Sequence, residues 1–286
     1  MNSISTSYEL QALSETKMAM PSLYTAPDSI DCWRHVRMLS TVKPVLESLP
    51  NARWMTVGDG RYGSDAAYLK SLGANVVATS LTDDRLRVAH DMGRIGEFRV
   101  ENAERLSSAD GALDFVFCKE AYHHFPRPPL ALYEMLRVAK VGVFMIEPMA
   151  NARVLDALKR TVKRLLRGDS NFNFEPSGNY LYRLDLTELG QLMCAMGNHT
   201  LAYKGINDFY HAPFGKAAAD GGMPYAVTRL GVAVQDGLAR LKLLGWGLCA
   251  VAVFNGTPPS GLRQRMSKAG FSFIDLPRNP YVPERN

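Results

Sequence analysis

Two stretches of this chain hold side chains whose types and order could do chemistry. The first is Gly58-Asp59-Gly60-Arg61-Tyr62-Gly63, set directly after the apolar run Trp54-Met55-Thr56-Val57. A chain leaving a strand there must turn tightly and let a ligand approach its backbone. The helical spacing of Ser64 to Leu72 then aims N-terminal N–H groups at that ligand. Alone, such a glycine pattern is weakly specific. The second stretch is Lys119-Glu120-Ala121-Tyr122-His123-His124, leaving the apolar run Leu113–Cys118. An imidazole with a pKa of about 6.5 suits proton transfer at neutral pH, so either histidine could be a base while the other packs. A metal is not expected: neighbouring histidines on one turn point apart, and no carboxylate is spaced to complete the ligand set.

These residues need elements to position them. Strands are expected at Arg53–Val57, Val76–Ser80, Phe98–Glu101, Leu113–Cys118 and Val141–Glu147, with helices up to Leu72, over Asp83–Met92 and over Pro129–Val138. That alternation argues a parallel sheet covered on both faces. Before it, Trp33, Val36, Leu39, Val42 and Val45 recur every three residues in a helix over Cys32–Leu49 that Pro44 should kink or split. Beyond Pro148 the pattern changes. Asn151–Arg167 reads as a basic amphipathic helix, and 168–183 as an irregular stretch holding Phe172, Phe174, Tyr180 and Tyr182. Asp185 with Glu188 marks a capped helix to Met196. Leu201–Ile206, Leu248–Phe254 and Phe271–Leu276 read as late strands, with helices near Tyr225–Leu244 and over Ser260–Ala269. The chain divides into a helical cap segment (1–50), a cofactor-binding core (51–150), and cap insertions with the late strands (151–286).

Composition sets outer limits. With 286 residues, 47% hydrophobic and 21% charged, the chain can bury a sizeable core of the ordinary globular kind. Its net charge of +5 suits an acidic small substrate as well as a plain basic surface. No basic-aromatic array of the nucleic-acid-binding kind appears. The four cysteines are scattered and read as reduced thiols of a cytoplasmic protein. Residues 1–20 lack a signal-peptide core, and no apolar run is long enough to span a bilayer.

Taken together, the glycine loop, Asn102-Ala103-Glu104, Leu113 to Pro128 with its Tyr122-His123-His124-Phe125, and Glu134-Met-Leu-Arg-Val-Ala-Lys140 before Gly142 resemble class I S-adenosylmethionine (SAM) methyltransferases. The likeness is to the small-molecule, type 11-like branch and covers about residues 52–148. It implies an α/β, doubly wound, Rossmann-like and mostly parallel seven-stranded sheet, with helices on both faces and cap insertions. It implies SAM as cofactor and methyl transfer to oxygen or nitrogen of a small molecule, such as a carbohydrate or natural-product intermediate. Carried over residue by residue, Gly58, Asp59, Gly60 and Gly63 would cradle the amino-acid part of SAM, Asn102 and Ala103 would meet the adenine, and Lys119 would lie beside the cofactor. The ribose position at the end of strand 2 is Ser80 instead of an acid, and Thr56 stands where an acid is often found before the loop. Asp83, twenty residues past Gly63, or Asp84 could substitute at the ribose, or could cap the following helix.

Tyr122, His123 and His124 are the catalytic candidates. Glu147, at the end of strand 5, is a substrate contact or a local salt bridge. Trp33, Tyr180, Tyr182 and Tyr210 are the further substrate candidates, since specificity is left to caps and loops. Arg34, His35 and Arg37 share the wall that Trp33 would form. A degenerate, non-catalytic domain would also explain the softened polar positions. A dinucleotide-dependent oxidoreductase would not explain the histidine segment. Homodimerisation is left open.

Overall fold

The computed structural model describes residues 3–15, 17–150, 153, 155–157, 161–162, 174, 180–197, 200–277 and 280–281. Eight strands form one sheet among these residues: β1 (Arg53–Thr56), β2 (Asn75–Ser80), β3 (Phe98–Val100), β4 (Leu113–Lys119), β5 (Ala139–Pro148), β6 (Thr200–Ile206), β7 (Leu248–Phe254) and β8 (Ser272–Asp275). Their order is β3-β2-β1-β4-β5-β7-β6-β8. The first five strands pair in parallel, whereas β7, β6 and β8 are joined antiparallel. The expected count of seven is therefore corrected to eight. The extra strand, β8, pairs with β6 from Thr200–Asp275 to Tyr203–Ser272.

Side chains alternate across the sheet with the period of two that strands impose. Trp54, Phe115 and Phe254 enter one core, while Met55, Val116 and Val253 enter the other. The first core is closed by α4 (Lys43–Ser48), α5 (Ser64–Ser71), α6 (Asp84–Asp91) and α11 (Ser260–Lys268), through Val45, Leu69, Leu86 and Met266. The second is closed by α7 (Pro128–Val138) and α8 (Leu186–Met196), through Leu132, Met135, Leu189 and Met193. With both faces covered, β7 can be buried at every position, as a continuous apolar run requires.

Local signals account for several boundaries. The helix expected over Cys32–Leu49 is split into α3 (Ile30–Leu39), a 3₁₀ turn at Ser40–Val42, and α4 with Pro44 in its first turn, where a missing N–H costs nothing. The Asp185 carboxylate accepts from the N–H groups of Thr187 and Glu188 at 2.7 and 3.1 Å and starts α8. The cap adds α1 (Ser3–Glu15), α2 (Ser22–Thr25), α9 (Ala212–Gly215) and α10 (Met223–Arg240). The basic helix expected over Asn151–Arg167 lies outside the described residues, apart from helical pieces at 155–157 and 161–162, and so does Phe172. Among the described residues, no helix is long and apolar enough to cross a membrane, and no three His, Cys, Asp or Glu side chains gather as a metal site.

Candidate functional site

The glycine loop is pinned between two strands. Val57 N–H donates to Phe117 O at 2.8 Å and Asp59 N–H donates to Thr79 O at 2.9 Å. Gly58 has φ +74°, and a Cβ there would lie 2.5 Å from the Ala121 Cβ, so only glycine fits. At Gly60 a Cβ would come within 2.6 Å of the Glu15 carboxyl carbon and 2.9 Å of Ser80 Oγ. Gly63 does different work: a side chain there would strike Ile95 in the core at 2.9 Å. Asp59 is buried and accepts from Asp65 N–H (3.1 Å), Ala66 N–H (2.9 Å) and Thr56 Oγ1 (3.0 Å). It thereby caps α5 from six residues away and fixes the loop from beneath. Burial, then the nearby Asp65, pushes its carboxyl well above the usual range.

At the carboxyl end of β4 the chain turns through Glu120, a non-glycine residue at φ +49°. Such a conformation is costly and clusters at functional sites. Lys119 Nζ pairs with the Glu120 carboxylate at 2.6 Å and stands 3.5 Å from His35 Nδ1 on α3. Burial opposes the Glu120 charge, but Lys119 outweighs it and holds the carboxyl down at about 2. Burial also opposes the Lys119 charge, which Glu120 and Asp65 nevertheless raise. Burial, then Lys119, lowers His35 to about 4, so its ring is neutral at pH 7. The site thus sets a fixed anion, a fixed cation and a neutral imidazole side by side.

One layer deeper, Glu147 is fully buried. Its Oε1 accepts from the N–H groups of Ala121 and Tyr122, both at 3.0 Å, and its Oε2 lies 2.6 Å from His123 Nδ1. This carboxylate shapes the 3₁₀ turn at Tyr122–His124 and fixes the His123 ring.

Over the strand ends lies the cap. On α1, Gln11 Nε2 donates to His124 O, and the Glu15 carboxylate accepts from Ser80 Oγ at 2.9 Å and Thr82 Oγ1 at 3.1 Å. Tyr24, on α2, donates to Tyr62 O at 2.8 Å. Beneath the cap are two cavities that share Glu15, Met18, Gly58 and Glu120 as their dividing wall. One, about 190 Å³, is bounded by Gly60, Arg61, Asp65, His35 and Lys119. The other, about 220 Å³, is bounded by Leu81, Asn102, Ala103, His124 and Phe125. Each is smaller than the roughly 300–1,000 Å³ of a typical small-molecule site, and the pair together reaches that range.

The structure brings Gly58, Gly60, Lys119, Asn102, Ala103 and His124 to these cavities, with Asp59 and Ser80 supporting them. Asn102 Oδ1 already accepts from Glu104 N–H at 2.9 Å, leaving a second lone pair for another donor. Other candidates lie apart from both cavities. Asp83 pairs with Arg87 along the exposed side of α6. Tyr122 is buried against Phe125 and Tyr182, and its hydroxyl is held protonated by burial. Glu147 and His123 bind each other behind the strand-4 turn. Trp33 packs edge-on against Tyr225, Tyr180 against Phe174, and Tyr210 lies under the Arg34 guanidinium. Glu15 went unassigned in the sequence, whereas Glu120 and His35 were named within the strand-4 exit and the Trp33 wall without their charge states.

This arrangement of a glycine loop, a β2-end polar site and a β4 exit has known relatives. The family profile described as a methyltransferase domain matches residues 55–146. The 2-methyl-6-phytyl-1,4-hydroquinone methyltransferase of Synechocystis sp. (strain ATCC 27184 / PCC 6803 / Kazusa) is 30% identical over 107 residues, which are 36% of this chain and 34% of that protein. The chain thus matches about a third of the length of that curated relative. Among solved structures, a SAM-dependent methyltransferase from Archaeoglobus fulgidus shares the fold at a TM-score of 0.50 and 14% identity, over 77% of this chain and 94% of that one. Residues 55–146 thus match a methyltransferase domain, and the cofactor that such a domain implies is SAM.

The residues present fit that cofactor. Gly58 and Gly60 let Ala121 and the Glu15 carboxyl pack against the loop backbone beside the first cavity, a polar cluster stands at the end of β2, and a partly apolar cavity sits beside Asn102 and Ala103.

Proposed function

We propose that this chain is an enzyme that transfers a methyl group from SAM to an oxygen or nitrogen of a small molecule. The observation that carries this reading is the pair of cavities at the carboxyl ends of β1, β2 and β4, meeting over Gly58 beneath one cap. Ligands of open α/β sheets bind at that edge. The name of the Synechocystis relative makes a substituted hydroquinone its substrate, which supports a small organic acceptor here.

SAM, when bound, supplies an electrophilic methyl group on a sulfonium centre. The chain's own task is then alignment, exclusion of water and disposal of a proton. The glycine loop and Asp65–Lys119–Glu120 form the floor of the first cavity. They match an amino-acid moiety that carries both charges. Leu81, Asn102, Ala103 and Phe125 receive the adenine side. His35, neutral at pH 7, offers a ring nitrogen that orients a hydroxyl acceptor by hydrogen bonding in the first cavity, the proton leaving to water; an amine acceptor needs only to arrive neutral. His123 acts as a positioning residue, holding the strand-4 turn through Glu147.

Calorimetric titration with SAM and with its demethylated product, S-adenosylhomocysteine, tests the cofactor half of this reading. Transfer of label from methyl-tritiated SAM to a panel of phenols, sugars and amines tests the other half. Saturable binding of both nucleosides and label in an acceptor are expected. No heat of binding at millimolar SAM would instead mark a non-catalytic domain.

A further inference from the structure

The end of β2 holds a serine where a ribose-binding acid would be expected, and yet a carboxylate is there. Glu15, the last residue of α1, places Oε2 2.9 Å from Ser80 Oγ and 3.1 Å from Thr82 Oγ1, bridging 65 residues of sequence to reach the strand. Its carboxyl group also occupies the space that Gly60 leaves by lacking a Cβ. Among the described residues no lysine, arginine or histidine pairs with it. It stands in the wall common to both cavities, between the charged floor of one and the Asn102–Ala103 side of the other. Any ligand that spans both cavities must pass it.

Resting on the SAM reading above, we infer that Glu15 is the acceptor for the ribose diol of the cofactor, supplied by the N-terminal helix instead of by β2. Two vicinal hydroxyls match the two oxygens of one carboxylate, which the Ser80 and Thr82 hydroxyls and the backbone of Leu81 and Thr82 already hold at the end of β2. A lone Ser80 hydroxyl cannot do this. Ser80 and Thr82 instead hold the carboxylate in place. The helix that carries the ligand group is also the cap: Gln11, one turn earlier, ties α1 to the carbonyl of His124 on the opposite side of the cleft. Cofactor affinity and cap closure therefore share one residue. Burial raises the Glu15 carboxyl, and the hydrogen bonds from Ser80, Thr82 and Leu81 offset that only in part.

The test is calorimetry with S-adenosylhomocysteine and its 2′-deoxy analogue on the full chain and on Glu15→Gln, with circular dichroism confirming the fold. Wild type should bind S-adenosylhomocysteine, and Glu15→Gln should lose about 10–100-fold in affinity, the scale of a hydrogen bond to a charged group. The deoxy analogue should cost wild type a similar factor and cost Glu15→Gln little more. Adding Ser80→Asp to Glu15→Gln should restore much of the loss. If wild type binds and Glu15→Gln binds equally or more tightly, Glu15 is a bystander or a plug and this inference fails while the SAM reading stands. Equal penalties for the deoxy analogue in both proteins overturn it as well, without any reliance on the variant's stability. Failure of wild type to bind S-adenosylhomocysteine overturns the SAM reading, and this inference with it.

Discussion

The two walls of the cleft satisfy their buried carboxylates in opposite ways. In the cradle formed by the sheet, Asp59 gathers three partners and Glu147 four, with two backbone N–H groups on each. All come from segments that the parallel strands already hold together. In the cap, Glu15 reaches across at least 65 residues of sequence to the Ser80 and Thr82 hydroxyls and the backbone of Leu81 and Thr82, and Gln11 reaches one carbonyl across 113 residues. The cradle is therefore complete without a ligand. The cap is held over the cleft by a few polar contacts, and a bound cofactor would add to them. The difference teaches that the loop geometry belongs to folding, whereas closure belongs to binding.

Removing the central carboxylate of the cradle should have the largest effect. Glu147→Ala would leave the N–H groups of Ala121 and Tyr122 buried without their acceptor and would release His123. Each stranded donor costs about 1–3 kcal/mol, so an overall loss on the order of 3 kcal/mol is expected in urea denaturation. Glu147→Gln, which keeps an acceptor oxygen, should recover part of it. A loss below about 1 kcal/mol for the alanine variant would mean that the strand-4 turn is held by packing alone, and the contrast between the walls would weaken.

This contrast also sorts what could be read in the sequence. β1, β2, β4, β5 and β7 were legible because buried strands are continuous apolar runs bounded by turns. The Asp185 cap was legible because its two donors lie within three residues. The glycine loop was legible as a turn, but not the distinct duties of its glycines, since Ile95 opposite Gly63 is brought there by the fold. α1 escaped notice because its apolar residues do not gather into one stripe. Glu15–Ser80 and Lys119–His35 are polar contacts across 65 and 84 residues, and no local pattern encodes them. Glu147 was left open between a substrate contact and a local salt bridge, and the structure shows the second. Its position at the end of an apolar strand looks the same whether the carboxylate faces a ligand or the N–H groups behind the turn.

A pH series should separate the two walls by sign. Asp65, at the start of α5, is raised from 3.8 to about 6 by burial, with Glu120 and Glu147 opposing the pull of Lys119. Between those values the native state binds more protons than the unfolded chain, so this group makes stability fall as pH rises from about 4 to about 6. His35, on the cap side, is lowered from 6.5 to about 4. There the native state binds fewer protons, so its contribution is present above about pH 6.5 and is lost as pH falls toward 4. Each effect is on the order of 2–3 kcal/mol at most, and the two oppose one another across nearly the same window. Asp59 and Glu15, also raised by burial, act in the same direction as Asp65, so the slopes are read against wild type: Asp65→Asn should make stability climb more steeply with pH from 4 to 6.5 than wild type, and His35→Asn less steeply. Urea midpoints at pH 4, 5 and 6.5 decide it, and slopes shifted the same way from wild type in both variants would remove the opposition.

The smallest effect is expected at Asp83, and its smallness is informative. Its carboxylate pairs with Arg87 one turn along α6, in a partly exposed position, and makes no capping hydrogen bond to the helix it precedes. Exposed pairs of this kind contribute about 0–1 kcal/mol. Asp83→Ala should therefore change stability by less than about 1 kcal/mol and leave the affinity for S-adenosylhomocysteine within about twofold of wild type. The sequence spacing left Asp83, twenty residues past Gly63, or Asp84 open between the ribose and a cap of the following helix. Leu81 and Thr82 stay at the cleft, whereas Asp83 turns to Arg87 one turn along α6. A tenfold loss of affinity in Asp83→Ala would show that the carboxylate swings inward on binding. The ribose ligand would then belong to the β2–α6 connection and not to the cap, and the division between a finished cradle and a ligand-dependent cap would have to be redrawn.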